Sequence, residues 1–206
     1  MTLTFIIIII TVIVSIYAWN NPERLSRMLM NPYRIYKHKE YYRFISSGLI
    51  HNDYIHLLFN MIALYYFGTV IEQIFRILYG TGGYFYFIIL YFAGMIVADI
   101  PSFLKYRNFA GYNSLGASGA VSAVVFSSIL FNPVNKICIY FYFCIPGFIF
   151  GILYLLYSYY EGKRMADNVN HDAHIYGAIF GVVFSIIAYP SVIVTFFEKI
   201  MNYKLF

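Results

Sequence analysis

The chain has 206 residues, of which 61% are hydrophobic, 22% aromatic and only 11% charged, whereas globular proteins have about 25% charged residues. This composition excludes a water-soluble globular enzyme and predicts an all-α integral membrane protein with room for about six helices of about 20 residues each. The net charge of +5 is spread over the loops. It therefore predicts contact with anionic lipid headgroups and no nucleic-acid partner.

The apolar runs of the chain predict a single membrane domain over residues 1–206. The first run, residues 3–19, has no basic side chain before it, so we interpret it as a retained transmembrane helix rather than a signal peptide. Residues 20–50 carry six Lys/Arg residues among many aromatic ones, and we expect this connection in the membrane interface. The other five predicted helices span about 52–75, 84–100, 115–131, 136–158 and 172–196.

The two cysteines, Cys138 and Cys144, fall inside the predicted fifth helix. Six residues apart on a helix, they would lie on different faces and more than one turn apart. We therefore expect two free thiols. Neither their spacing nor their setting predicts a metal site.

Three polar motifs lie near the starts of predicted helices two, four and six, where a polar side chain in a membrane is by default a candidate functional group. They are His56-Leu57-Leu58-Phe59-Asn60, Gly116-Ala117-Ser118-Gly119-Ala120 and Ala173-His174-Ile175-Tyr176-Gly177. Helices that cross the membrane in turn place these three starts on one side. With a rise of about 1.5 Å per residue, we expect His56, Ser118 and His174 within about one turn of the same depth.

Ser118 and His174 have the chemistry of a nucleophile and its base, because a serine attacks well only when a nearby histidine takes its proton. They can meet only if helices four and six approach closely, and small residues at four-residue spacing permit such an approach. The same pattern also occurs in helices that merely pack together. The small residues are Gly116, Gly119, Ala120 and Ala123 on helix four and Ala173, Gly177 and Gly181 on helix six.

The choice of Ser118 over its neighbours depends on glycine. Ser114, Ser118 and Ser122 share one helix face, but only Ser118 has an adjacent glycine. Glycine lets backbone amides approach a substrate carbonyl, and the amides at a helix start are unpaired and favour negative charge. Ser118 would therefore combine a nucleophile with part of an oxyanion hole.

His56 and Asn60 lie four residues apart, on one face of helix two. Both can donate hydrogen bonds to an oxyanion. The spacing equally suits a buried polar pair that holds the preceding loop. No carboxylate is placed as a third partner of His174, so the residues predict a Ser-His dyad without a cofactor or a metal.

In this order, the three motifs resemble those of the rhomboid intramembrane serine proteases, in their compact six-helix bacterial form. The similarity runs from about residue 40 to 190. It implies a rhomboid-like bundle in which a serine attacks, a histidine acts as general base, and nearby groups hold the oxyanion. The implied residues are Ser118 and His174 as the catalytic pair, with His56, Asn60, Gly116 and Ala117 at the oxyanion.

The resemblance also implies a substrate and a location. The substrates would be transmembrane segments of other membrane proteins, cut near the membrane surface after helix five and the 159–171 loop move aside. The location would be multi-pass in the bacterial plasma membrane, in contact with lipid. Neither the natural substrate nor the oligomeric state follows from the residues.

Some positions depart from the family pattern or serve its scaffold. Relatives often have a tyrosine four residues after the nucleophile, stacked on the catalytic histidine, where this chain has Ser122. We therefore expect another aromatic residue, Tyr176 or Tyr112, to support the ring. His51 resembles the family's loop-fastening histidine. Glu72 and Arg76, one turn apart, are expected to form a structural ion pair.

Two indications of the membrane orientation conflict with each other. The usual arrangement of the family puts the active site at the outer face. That arrangement leaves ten of the 14 Lys/Arg residues outside, against the positive-inside rule. We expect the family orientation, because the rule counts charges near short loops and the first connection lies in the interface.

Two other functions stay open. A membrane metalloenzyme could be built on His51, His56, His171 and His174, although only the second pair shares a helix face and no common ligand motif is present. A chelator that abolished activity would favour it. A rhomboid-like protein could also bind transmembrane helices without cutting them, since a complete site does not prove turnover.

Overall fold

Helices dominate the computed structural model, which describes residues 2–139, 143–164 and 169–204. A π-helical turn, Leu64–Gly68, joins α5 to α6, and β1 and β2 form an antiparallel hairpin. The helical class predicted from composition is confirmed. The elements are α1 Leu3–Trp19, α2 Pro22–Met28, α3 Pro32–His38, α4 Arg43–Ser46, α5 Tyr54–Ala63, α6 Thr69–Tyr79, α7 Gly83–Tyr106, α8 Ser118–Phe131, β1 Lys136–Ile139, β2 Phe143–Pro146, α9 Gly147–Arg164, α10 His171–Ala188 and α11 Val192–Met201.

The central helix is α8, which is buried around its whole circumference from Gly119 to Phe131. A helix that is apolar on all sides belongs in such a position. Its closest neighbours are α7 and α10. Gly94 of α7 and Gly181 of α10 both pack against Ala123, with no room for a Cβ atom on either glycine. This packing sets the start of α8 beside the start of α10.

Two helical stretches are long and apolar enough to cross a membrane, Tyr54–Tyr106 and His171–Ala188. The first contains a turn at Gly80, whose φ of 58° suits glycine, and α6 and α7 pack against each other on either side of it. The apolar helices α1 and α8 are shorter than a full span. Six spans therefore stay a prediction.

Two helix ends differ from those predicted. Helix three was expected to stop before Pro101, but α7 continues through it to Tyr106. Membrane helices tolerate proline because neighbouring groups satisfy the freed carbonyl. The expected sixth helix, 172–196, is instead broken between Ala188 and Val192. Pro190 lies in this break and cannot donate the backbone hydrogen bond of a continuing helix.

The prediction of a fifth helix over residues 136–158 is wrong in its first part. Residues 136–139 and 143–146 form the paired strands β1 and β2, and α9 begins only at Gly147. Cys138 pairs with Cys144 across the hairpin and forms a disulfide with it. The expectation of free thiols is therefore wrong as well, because residues opposite each other on antiparallel strands are adjacent, whereas on a helix they would point apart. Residues 140–142 of this segment and 165–168 of the 159–171 loop lie outside the described residues.

The connection between α1 and α5 is folded against the loop that leads into α8. Met30 and Ser114 exchange two backbone hydrogen bonds of 3.0 Å. The side-chain amide of Asn31 donates to the carbonyl oxygens of Ala110 and Tyr112 at 3.1 and 3.2 Å. The first connection therefore fixes the approach to α8.

The expected ion pair between Glu72 and Arg76 is wrong. The buried carboxylate of Glu72 accepts hydrogen bonds from the backbone N–H groups of Leu3 and Thr4 at 2.9 and 2.8 Å, and from the Thr4 hydroxyl. Arg76 lies over the ring of Tyr84 instead. The first N–H groups of a helix have no partner in that helix, and a carboxylate beside them is favoured by the helix dipole. Glu72 thus fastens the start of α1 to α6.

Candidate active site

Ser118 is the first residue of α8, directly after a backbone turn at Gly116. Gly116 has a φ of 115°, in the region that favours glycine. A Cβ atom at this position would also lie 2.7 Å from Cε1 of His56. Both constraints require glycine at position 116. The second also shows that the His56 motif of α5 contacts the Gly116 motif at the start of α8.

The two amides before Ser118 already have acceptors. The N–H of Gly116 donates to the carbonyl oxygen of Ser47 at 2.9 Å, and the N–H of Ala117 donates to Nε2 of His51 at 3.3 Å. An oxyanion would compete with these acceptors for both protons. The N–H of Ser118 stands at the first helical position, where no carbonyl of the same helix is available.

His56 and Asn60 are held by the first turn of α5. Asp53 caps this helix, and its Oδ1 accepts from the backbone N–H of His56 at 2.8 Å. Asn60 is buried, and its Nδ2 donates to the carbonyl oxygen of His56 at 2.9 Å. This bond uses one of the two N–H groups of the amide.

The close approach of α8 and α10 predicted from small residues is present. A Cβ atom on Gly177 would overlap the carbonyl oxygen of Gly119, and one on Gly181 would overlap that of Ala123. The two backbones therefore touch at two points that are about one helical turn apart. Only small residues permit this distance between membrane helices.

A small cavity lined by both polar and apolar residues lies at the point where these helices begin. Ser118 and Gly119 of α8 line it together with Ala173 of α10, and Asp99 of α7 completes one wall. Ala173 directly precedes His174 in the chain. The structure thus brings the serine motif and the second histidine motif to one site, as the topology of alternating helices predicts.

Asn170 positions the first turn of α10, which carries His174. Its Oδ1 accepts from the N–H of Ala173 and from the hydroxyl of Ser102, both at 3.2 Å, and its Nδ2 faces Oδ1 of Asp99 at 3.5 Å. Sequence reasoning missed this residue. The sequence could have predicted its role as a helix cap, because asparagine is a preferred N-cap residue and Asn170 directly precedes an apolar helix.

The aromatic support of His174 comes from α9. The ring of Tyr154 stacks on the imidazole, with centroids 5.9 Å apart and planes at 24°, while its hydroxyl lies 2.8 Å from Oγ of Ser122. The expectation of Tyr176 or Tyr112 is therefore wrong. Tyr176 is exposed and Tyr112 stacks on another tyrosine. The sequence offered one indication of this contact. Ser122, in the position where relatives often have a tyrosine, has a hydroxyl group that can bind a tyrosine from another helix.

His51 connects α1 to the loop before α8. Its Nδ1 lies 3.1 Å from the Ser15 hydroxyl, its Nε2 accepts from Ala117, and its carbonyl oxygen accepts from the indole of Trp19 at 2.7 Å. Burial, together with the nearby charge of His56, lowers the pKa of His51 from 6.5 to about 3. A neutral ring suits Nε2 as an acceptor. These contacts match the expected loop-fastening role.

The histidines of the metalloenzyme alternative do not form one cluster. The rings of His51 and His56 lie 5.0 Å apart, edge to face, and those of His171 and His174 form a second such pair at 5.6 Å. Within residues 2–139, 143–164 and 169–204, no three His, Cys, Asp or Glu side chains are arranged to hold a metal ion.

Comparisons with known proteins indicate the family of the chain. The family model of the rhomboid domain matches residues 38–191. The chain is 26% identical over 171 residues to RHOMBOID-like protein 12, mitochondrial, of Arabidopsis thaliana, covering 74% of this chain and 49% of that protein. It is 37% identical over 82 residues to the Rhomboid protease GluP of Bacillus subtilis (strain 168), covering 40% of this chain and 14% of that protein. The chain thus spans about half the length of the first relative and about a seventh of the second. The family match covers most of the chain, and the chain belongs to the rhomboid family.

Proposed function

We propose that this protein is an intramembrane serine endopeptidase that cleaves transmembrane segments of other membrane proteins. The observation that carries the proposal is the meeting of three helix starts. His56 of α5 packs against Gly116, and Ser118 of α8 lines the same cavity as Ala173 of α10. Nucleophile, base and hydrogen-bond donors are thereby supplied from three separate helices at one end of the bundle.

In the first half of the proposed reaction, Oγ of Ser118 attacks the carbonyl carbon of a substrate peptide bond. His174 accepts the hydroxyl proton, and the carbonyl oxygen becomes an oxyanion. When the C–N bond breaks, His174 returns this proton to the leaving amine. The product of this step is an ester between Ser118 and the acyl part of the substrate.

In the second half, a water molecule attacks the ester carbonyl while His174 takes one of its protons. A second oxyanion forms and collapses, the ester bond breaks, and the proton passes to Oγ of Ser118. A carboxylic acid leaves and the free enzyme is restored. Ser118 and His174 suffice for every proton transfer, so the proposed mechanism requires no carboxylate as a third residue, no cofactor and no metal.

We assign the oxyanion to the N–H of Ser118 and to the side chains of His56 and Asn60. The backbone N–H belongs to the start of a helix, which favours negative charge. The amides of Gly116 and Ala117 would contribute only after exchanging their bonds to Ser47 and His51. Their role in this conformation is to shape the loop.

The substrate class rests on the family and on the apolar helices. A helix of another membrane protein has its backbone hydrogen bonds satisfied internally in lipid, so it must unwind locally before Ser118 can reach a carbonyl carbon. We propose that this occurs near the membrane surface, at the depth of the cavity, after α9 and the 159–171 loop move aside. We also propose six membrane spans and a location in the bacterial plasma membrane.

The decisive experiment is labelling of the detergent-solubilised full chain with a fluorophosphonate probe, which reacts with activated serines. Wild type should be labelled, and Ser118→Ala and His174→Ala should both lose labelling while keeping the wild-type thermal unfolding temperature. Ser114→Ala is the matched control, because this serine lies outside the proposed dyad. Folded wild type that does not label, or Ser118→Ala that labels normally, would contradict the proposal and favour a protein that binds transmembrane helices without cutting them.

A further inference from the structure

Three cationic side chains converge on the ring of Tyr36, near the end of α3. The Nζ atoms of Lys37 and Lys39 lie 5.1 and 5.5 Å from the ring centroid, and Cζ of Arg107 lies 5.5 Å from it. We call these three residues the Tyr36 cation cluster. All three charges therefore lie within 5.5 Å of one point on the surface.

The cluster is assembled by tertiary structure rather than by a run of basic sequence. Lys37 is in the last turn of α3, and Lys39 follows this helix with a φ of 60°, a conformation that is uncommon for a lysine. Arg107 comes from a different part of the chain, directly after α7. Each of the three side chains is exposed, so an external anion can reach all of them.

The nearest acid of this segment does not neutralise the cluster. Glu40 forms ion pairs with Arg34 and Arg43. Burial alone would raise the pKa of Glu40, but the hydrogen bond and charge of Arg43, assisted by Arg34, lower it. Its negative charge is thus already shared by two arginines. Within the part of the chain that the structure describes, no ion pair includes Lys37, Lys39 or Arg107.

The place of Arg107 directly after α7 indicates the depth of the cluster in the membrane. Asp99 of α7 lines the cavity beside Ser118, and Arg107 follows eight residues later in the same direction. At about 1.5 Å per residue, Arg107 lies about 12 Å beyond the cavity. A shallow cavity inside the bilayer then places the cluster in the headgroup layer, where tyrosine rings are also favoured.

We propose that the Tyr36 cation cluster binds the phosphate of one anionic phospholipid headgroup. Three like charges around one ring repel each other, and the single negative charge of a phosphate diester between them would reduce this repulsion, while its oxygens accept hydrogen bonds from the cations. The negative surface potential of an anionic leaflet attracts basic segments that lie close to the membrane surface. This inference does not depend on proteolysis, so it can fail or succeed independently of the proposed catalytic function.

The test measures thermal unfolding of the purified full chain in neutral detergent micelles with added lipid. Phosphatidylglycerol should raise the unfolding temperature in a saturable way, and phosphatidylcholine or inorganic phosphate at equal concentration should not. In Lys37→Gln/Lys39→Gln/Arg107→Gln, the phosphatidylglycerol concentration for a half-maximal rise should increase at least about tenfold, because fewer charges hold the phosphate.

The matched control is Arg24→Gln/Arg76→Gln/Lys163→Gln. It removes the same charge and three cation–π contacts, but each of these cations lies over a separate ring. Its response to phosphatidylglycerol should stay within about twofold of wild type. An equal loss in both triple variants would show a diffuse charge effect and overturn the proposal. So would equal stabilisation by phosphatidylcholine or by inorganic phosphate, or stabilisation by an acidic peptide but not by phosphatidylglycerol.

Discussion

The hydroxyl groups of Ser122 and Tyr154 lie 2.8 Å apart, and this contact holds the tyrosine ring against the imidazole of His174. Ser122 is one turn after Ser118 on α8, whereas Tyr154 belongs to α9. The helix pair of the candidate dyad therefore receives its aromatic support from a third helix.

Tyr154→Phe should lower kcat/KM for a model transmembrane substrate by about 2- to 10-fold, because it removes one hydrogen bond of about 0.5–1.5 kcal/mol. Tyr154→Ala should lower it by about 10- to 100-fold, because the stacked ring is lost as well. Ser122→Ala removes the same hydrogen bond as Tyr154→Phe. The double variant should therefore be no slower than either single one, and fully additive losses would show that the two hydroxyls act independently.

His56→Ala and Asn60→Ala should each slow cleavage by about 10- to 1000-fold without abolishing it, the usual cost of losing one oxyanion donor. The effect should fall mainly on kcat, since the interaction strengthens in the transition state. Steady-state kinetics with the same substrate measure this. Unchanged rates in both variants would show that α5 does not belong to the site. The control is Asn52→Ala, at an exposed position just before α5.

Gly177→Ala should lower the free energy of unfolding by about 1–3 kcal/mol, because the added methyl group overlaps the carbonyl oxygen of Gly119. Activity should fall as well, since α8 and α10 carry Ser118 and His174. The measurement is thermal unfolding in detergent together with fluorophosphonate labelling. Gly82→Ala is the control, because the nearest atom to its Cβ would be 3.9 Å away. Equal stability of both variants would contradict close contact between the two helices.

Stability should decrease as the pH falls below about 6.5. His51 has a pKa of about 3 in the folded protein against 6.5 for the ordinary group, so the unfolded chain binds the proton more tightly. Its contribution is complete above the unfolded pKa and is lost progressively towards pH 3, at up to about 1.4 kcal/mol per pH unit.

The measurement is thermal unfolding of wild type and His51→Gln between pH 8 and pH 4. Glutamine can accept the Ala117 hydrogen bond but does not titrate, so its unfolding temperature should fall less steeply with acid. His38→Gln, at an exposed histidine, should behave like wild type. Identical pH profiles for wild type and His51→Gln would show that His51 does not contribute to acid sensitivity.

The disulfide bears on membrane orientation. The hairpin with Cys138 and Cys144 follows the end of α8 that is opposite to Ser118. Disulfides persist in oxidising compartments, so we predict that the hairpin lies outside, and this prediction replaces the family orientation expected from the sequence. Ten of the 14 Lys/Arg residues belong to connections on the Ser118 side, and the positive-inside rule places that side in the cytoplasm. We therefore expect an active site that faces the cytoplasm, opposite to the usual family arrangement.

The measurement is labelling of intact cells with a membrane-impermeant maleimide after an impermeant reductant. Cys138 and Cys144 should label only after reduction, and without lysis. A Cys138→Ser/Cys144→Ser variant is the control for background labelling. Labelling that requires lysis would restore the family orientation.

The sequence by itself was enough to predict the helical class and the residues that meet. Chemistry-bearing residues lie at the starts of alternate helices, and alternation alone places them at one end of a bundle. His56 against Gly116 and Ser118 beside Ala173 follow from this rule. The close approach of α8 and α10 could also be predicted from their glycines, because small residues at four-residue spacing lie on one helix face.

The tertiary structure alone decided which side chains from distant segments complete the site. Tyr154 of α9 stacks on His174, and α9 begins only after the hairpin. An apolar run does not reveal whether it begins as a strand or as a helix. Proximity in the sequence predicts a pair of Glu72 and Arg76, yet the backbone amides at the start of α1 bind the Glu72 carboxylate instead. Hydrophobic patterns specify which residues are buried, whereas partners distant in the chain depend on how the buried helices are placed against one another.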